Sequence, residues 1–227
     1  MREGLLRGHL GMSIQYKRPV LKLIVSRIPA TLQLTLTSLV IGYLIGIPVG
    51  VYSAVRPRSW FDQASRVLAV VGNAVPGFWL ALILIMVFAV QLRLLPTGGT
   101  RTLGGDPSDL WDRVKHLIMP VSVLALGVVA GVSRFMRTET MEVLGQDYIR
   151  TARAKGLTDQ RVWWLHAVRN ALVPIATFIG PALGGLLGGA VITETIFGWP
   201  GMGRLTVNAV FQRDYPLIMG SVVISAI

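Results

Sequence analysis

The sequence predicts an all-α fold, a polytopic transmembrane helical bundle with four full spans and the start of a last one. Three observations predict it. Uncharged, mostly apolar runs recur at 31–55, 67–92, 117–133 and 171–192. Lys and Arg fall in the gaps between these runs, as basic residues do when they flank membrane spans. Of the 227 residues, 52% are hydrophobic and the mean hydropathy is +0.60, well above what a water-soluble domain carries.

Residues 1–30 read as a basic amphipathic segment. Arg2, Arg7, Lys17, Arg18, Lys22 and Arg27 supply the charge, and Leu21, Ile24, Val25 and Ile28 recur at helical spacing before Pro29. His9 reads as a surface side chain. No apolar run precedes Val20 and no small-residue cleavage site follows it, so no secretory signal is expected. Thr31 to Val55 is uncharged over 25 positions, more than the roughly 20 needed to cross a bilayer. Gly42, Gly46 and Gly50 fall four apart, which permits close helix packing, and Pro48 is expected to kink the span. Arg56-Pro57-Arg58-Ser59-Trp60 reads as a short basic turn with an interfacial Trp.

In the run 67–92, Asn73, Pro76 and Gly77 break the first third. Asn73 suits either a helix–helix hydrogen bond or the wall of a pathway. Residues 93–116 are expected to be a loop, because Pro96, Gly98, Gly99, Gly104, Gly105 and Pro107 punctuate it. Asp106, Asp109 and Asp112 do not match calcium-loop spacing and have basic neighbours, which argues against a metal. The third run, 117–133, is short, with Pro120 at its start. The fourth, 171–192, carries one small-residue ridge of Gly180, Gly184 and Gly188 and a second of Gly185 and Gly189. It is a candidate for a subunit interface or pore wall, with packing inside one subunit as the alternative. Residues 193–215 hold Glu194 and Arg204, which can pair, within a Gly- and Pro-rich run of tight turns. Residues 216–227 begin an apolar segment too short to span.

The stretch 134–170 organises the rest. Seven of the 22 Lys and Arg residues lie in it: Arg134, Arg137, Arg150, Arg153, Lys155, Arg161 and Arg169. The spacing predicts a helix over 139–155, ended by Gly156 in the left-handed conformation. A second helix is expected after Thr158 as cap, with Asp159 in its first turn and Val162, Leu165, Val168 and Leu172 on one apolar face. So charged a segment cannot lie in hydrocarbon. It must sit on one aqueous face, touching either anionic lipid headgroups or a protein partner.

The run Asp147-Tyr148-Ile149-Arg150-Thr151-Ala152-Arg153-Ala154-Lys155-Gly156-Leu157, with His166 and Arg169-Asn170-Ala171-Leu172-Val173-Pro174, resembles the coupling loop of ABC importer permeases. It is most similar to the branch that carries dipeptides, oligopeptides and nickel. Glu194-Thr195-Ile196-Phe197-Gly198-Trp199-Pro200-Gly201 resembles the external loop before the last helix of that family. The general pattern of the family starts Glu-Ala-Ala; here Arg150-Thr151-Ala152 stands in its place, so only Ala152 and Gly156 match that older form.

The resemblance implies a multi-pass protein of a bacterial or archaeal cell (inner) membrane. It implies a helix before residue 1 and the completion of the last helix after Ile227. Its partners would be ATP-binding subunits, a second homologous permease subunit, an external substrate-binding protein and membrane lipid. The chain would need no cofactor of its own, ATP being bound by the partner subunit. Residues 31–227 would form the permease domain, with 1–30 external and 134–170 the cytoplasmic coupling loop. In that loop Arg150, Arg153 and Lys155 would make charged contacts and Tyr148, Ala152 and Leu157 would pack. Gly156 would make the turn, and Ala154, His166, Arg169, Asn170 and Pro174 would complete the loop. Closure of the ATPase would push the loop and tilt the runs 117–133 and 171–192, giving alternating access. Charge alone does not settle the orientation, since ten Lys and Arg residues fall in the inside segments and twelve in the outside ones.

Other functions find less support. The chain has no Gly-x-x-x-x-Gly-Lys phosphate loop and no cysteine, and no triad or carboxylate pair marks an enzyme. Nucleic acid is not expected despite a net charge of +11, because the charge is not gathered on one face. An ion-coupled transporter would place an ionisable group inside a span, and the four runs have none. A non-transport assembly or lipid-binding protein is the rival of another class. Within the branch, peptide is the expected cargo, with nickel, glutathione or oligosaccharide as alternatives.

Overall fold

The computed structural model describes residues 10–106, 108–175, 177 and 190–225. These are almost entirely helical; among them, extended backbone forms one isolated bridge, between Met12 and Pro19. The helices are α1 (Val20–Val55), α2 (Trp60–Ala74), α3 (Gly77–Leu84), α4 (Leu110–Leu144), α5 (Asp147–Ala154), α6 (Asp159–Arg161), α7 (Val191–Ile196), α8 (Met202–Phe211) and α9 (Tyr215–Ser225). α3 runs on as a π-helix over Ile85–Gln91, and α6 as a π-helix over Val162–Ala167 and then α-helix through 168–175. His9, Gly180, Gly184, Gly185, Gly188 and Gly189 lie outside the described residues.

Among the described residues two helices are long and apolar enough to cross a membrane, α1 with 36 residues and α4 with 35, and the bent pair over Trp60–Ala74 and Gly77–Gln91 would make a third if it is one span, against the four expected. α1 and α4 both exceed their expected bounds. α1 begins at Val20 rather than at 31, so the amphipathic stripe and the first apolar run are one helix that passes through Pro29. Burial explains the extension: Val20 and Ile24 are fully buried against Leu217 and Leu205. α4 begins at Leu110, inside the expected loop, so Pro120 is interior to it rather than at its start. Asp109 sets this earlier start by accepting from the amides of Trp111 (2.8 Å) and Asp112 (3.2 Å), as an N-cap does.

The run 67–92 is not straight. α2 and α3 meet at a bend of 99°. Val75, just before Pro76, is extended at φ −72°, ψ 121°, the conformation a following proline imposes. The break expected at Asn73, Pro76 and Gly77 is therefore a sharp corner. The fourth run is described only in part: 168–175 is helical, and α7 starts at Val191.

The chain forms two compact units, 1–37 with 77–124 and 183–227, and 38–76 with 125–182. The first has one core of Val20, Ile24, Met202, Leu205, Ala209 and Leu217, and another of Ala81, Met119, Val123 and Phe197. The second packs Val51 on Met136, Val168, Ala171 and Ile175. There the glycine ridge of α1 meets α4 directly. A Cβ on Gly46 would come 2.9 Å from Val132, and one on Gly50 would come 2.5 Å from the carbonyl oxygen of Ser133. The four-residue spacing thus brings the two helices together, as expected of small residues in lipid.

Candidate functional site

The basic stretch folds as a compact hairpin in the second unit. Gly145 and Gln146 turn the chain after α4, and α5 follows with Asp147 in its first turn, favourable to the helix dipole. Gly156 has φ +81°, the left-handed residue that ends a helix. Its amide donates to the carbonyl of Arg153 (2.9 Å), and that of Leu157 to Ala152 (3.4 Å). Thr158 stands at the cap position of α6, as expected, but its hydroxyl makes no capping bond. An ion pair closes the turn instead, Arg153 Nε to Asp159 Oδ1 at 3.5 Å.

Ile149, Ala152 and Val162 form the hairpin's own core, with Leu157 packed against them. Ala152 is therefore buried inside the hairpin and is not offered to a partner. The expected apolar face Val162–Leu165–Val168–Leu172 is only partly realised, because Leu165 is exposed. The π turn is the reason: its wider winding brings Val162 and Ala167 to one side and swings Leu165 out. Trp164 is exposed beside it. Asn170 ties the two helices by donating from Nδ2 to Tyr148 Oη (2.9 Å) and to the carbonyl of His166 (3.0 Å). Arg150, Arg153, Ala154, Lys155 and Arg169 remain exposed, while His166 and Pro174 are half-buried. Asn73, on α2, is exposed as well.

A feature that sequence reasoning missed lies in the same unit. Asp62 on α2 is fully buried. Arg137 of α4 grips it through Nε (2.6 Å) and Nη2 (3.0 Å). Ser53 Oγ donates to it at 2.5 Å and the amide of Arg58 at 2.9 Å, while Arg66 Nε lies 3.6 Å away. Arg58 takes φ +63°, a conformation costly for a side-chain-bearing residue, and so aims its amide at the carboxylate. The available signal was one Asp among Arg56, Arg58 and Arg66: an acid in a basic turn needs a reason.

In the first unit the expected Glu194–Arg204 pair takes another form. Glu194 is fully buried and its Oε2 accepts from the backbone amide of Arg204 (3.0 Å), while the Arg204 guanidinium donates to the carbonyl of Gly198 (2.5 Å). Thr31 Oγ1 donates to Glu194 Oε1 (2.8 Å) and accepts from the amide of Met202 (2.8 Å). Glu194 and Thr31 together cap the N-terminus of α8. Trp199 is buried and donates from Nε1 to the carbonyl of Ala30 (2.8 Å).

A family profile, binding-protein-dependent transport system inner membrane component, matches residues 46–227. The chain belongs to this family. Among relatives of this permease, the oligopeptide transport system permease protein AppB of Bacillus subtilis is 47% identical over 98% of the chain and 71% of the relative. The dipeptide transport system permease protein DppB of Escherichia coli K12 is 40% identical over 98% and 72%. The glutathione transport system permease protein GsiC of Escherichia coli O6:H1 is 41% identical over 96% and 68%. A solved chain of the MetNI methionine ABC transporter, in an inward-facing conformation, superposes with a TM-score of 0.54 at 22% identity, over 88% of the permease and 87% of that chain. A second crystal form gives 0.52 at 21% identity, over 89% of both chains. These structures share the helical fold.

Proposed function

We propose that this permease is the membrane-spanning subunit of an ATP-driven importer of short peptides. The observation that carries the cargo is its likeness to permeases named for oligopeptides and dipeptides at 40–47% identity over nearly its whole length. The relative named for glutathione keeps that peptide derivative as a second reading. ATP hydrolysis belongs to a separate subunit, and a second homologous permease and an external binding protein complete the importer.

The hairpin 139–170 is the coupling element. It has its own core of Ile149, Ala152 and Val162 and continues α4 after a two-residue turn, so a push on it is passed on rather than absorbed. Its outward side offers Tyr148, Arg150, Arg153, Lys155 and Trp164, which suits an acidic, partly apolar groove on the ATPase. The test is peptide uptake in cells carrying the reassembled importer, together with copurification of the ATPase. Arg153→Glu breaks the pair with Asp159 and reverses a docking charge. Gly156→Pro cannot adopt φ +81°. Both should insert normally yet lose at least ten-fold in uptake and fail to retain the ATPase. Normal uptake by both would remove the docking role.

A further inference from the structure

Five of the seven basic residues of 134–170 belong to the hairpin, but Arg134 and Arg137 lie on α4 before it. With Arg66 they line a cavity of about 150 Å³ in the second unit, between α1, α2 and α4. Hydroxyls of Ser53, Ser65 and Ser133 share its wall. Three arginines thus share a wall with one buried carboxylate nearby, Asp62, and that carboxylate is already engaged by Arg137, Ser53 and the Arg58 amide. Arg134 has no ion-pair partner among the described residues, and Arg66 stays about half exposed at 3.6 Å from Asp62. Glu139 lies near Arg134 on the wall of a separate cavity, and no ion pair joins the two. The wall hydroxyls already donate within the protein, Ser53 to Asp62, Ser65 to the Asp62 carbonyl and Ser133 to the Ala130 carbonyl, so what the site holds in a small space is uncompensated positive charge.

We infer that this cavity binds a phosphate group, through the Arg66 and Arg134 guanidiniums. Guanidinium forks match phosphate oxygens in pairs. The volume excludes a peptide, since clefts for drug-sized ligands run to roughly 300–1,000 Å³, but a single tetrahedral anion fits. Two sources supply that chemistry, an anionic phospholipid headgroup and free phosphate. The surroundings favour the lipid. Val70 lines the cavity and is exposed, giving an acyl chain an apolar contact at its edge. Exposed Trp60 at the start of α2 is the kind of residue that settles at headgroup depth. Basic pockets between membrane helices are sites of this kind.

The test titrates the full chain, in an uncharged detergent, with phosphatidylglycerol, phosphatidylcholine and inorganic phosphate, and counts bound molecules by native mass spectrometry. Phosphatidylglycerol should bind at one saturable site and phosphatidylcholine should not. Arg66→Gln and Arg134→Gln should each weaken it about five-fold, with the Asp62–Arg137 pair intact, while Lys22→Gln changes nothing. Inorganic phosphate binding with the same dependence on Arg66 and Arg134, without phosphatidylglycerol binding, would assign the site to free phosphate. Equal weakening by all three substitutions, or by none, overturns the site in favour of diffuse attraction. Should a glutamine variant fail to fold, photoactivatable phosphatidylglycerol on the unaltered chain decides. Attachment within 49–70 or 133–138 supports the cavity, and attachment confined to 147–169 overturns it.

Discussion

Asp62 and Arg137 are the residues on which the second unit turns. A carboxylate fully out of water is tolerated only when its charge is matched and its lone pairs are filled, and here two guanidinium bonds, a hydroxyl and an amide fill them. Removing one partner should cost far more than removing both. Asp62→Ala is expected to destabilise by about 3–5 kcal/mol, and Asp62→Leu with Arg137→Met to recover much of that, as read by thermal unfolding in detergent. Asp214, between α8 and α9, is another buried carboxylate, with no guanidinium on it among the described residues. Burial alone would raise its pKa, but Ser13 Oγ and the amides of Gln15, Ile14 and Leu217 donate to it and together hold it below the usual range. A depressed carboxylate stabilises the fold above its unfolded pKa and loses that contribution as pH falls. Asp214→Asn should therefore lower the melting temperature at pH 6, and the gap to the unaltered chain should shrink below about pH 4. The partners of neither acid were legible in the sequence, because pairing across 75 or 200 positions leaves no local trace, although Asp62 is marked by its basic neighbours. Gly156, by contrast, was legible: a lone glycine after Lys155 at the end of a helical run has few other uses.

At the scale of the element, the helices were legible where periodicity and burial agree. The glycine ridge of α1 was read from spacing alone and packs as read, since only small residues let two backbones approach in lipid. Gly50→Leu should force α1 off Ser133 and Met136 and cost about 1–3 kcal/mol. Gly127→Leu, where the added side chain meets open space, should cost far less in the same unfolding assay. Equal losses would show that helix propensity rather than close packing governs both sites. Element boundaries were less legible. α1 and α4 both run past the uncharged stretches, because Arg27, Lys115 and their neighbours sit on helix turns whose other face is buried. The hairpin's joint at Gly156 is where the sequence puts it, but the helix expected over 139–155 is broken at Gly145 and Gln146, so that 139–144 belong to α4 and α5 is Asp147–Ala154; the π turn was not foreseeable either. Such a bulge changes which side chain faces in without changing composition, so Leu165 was misplaced while Val162 was not.

For the whole molecule, the family was legible from one long motif, and the orientation was not legible from charge. Basic residues are nearly balanced between the two sets of loops, so the positive-inside bias favours neither orientation. If the hairpin serves an ATPase, Lys155 must face the cytoplasm, and the segment 93–109 must then face outward. The chain contains no cysteine, so single introduced thiols can report sidedness without a background. Leu103 and Lys155 are both exposed, which removes local burial as a cause of any difference. In intact cells, Leu103→Cys should react with a membrane-impermeant maleimide and Lys155→Cys should not; after permeabilisation both should react. The opposite pattern would put the hairpin outside, where no ATP-hydrolysing subunit could reach it, and coupling through residues 139–170 would have to be abandoned even though the fold and family stand.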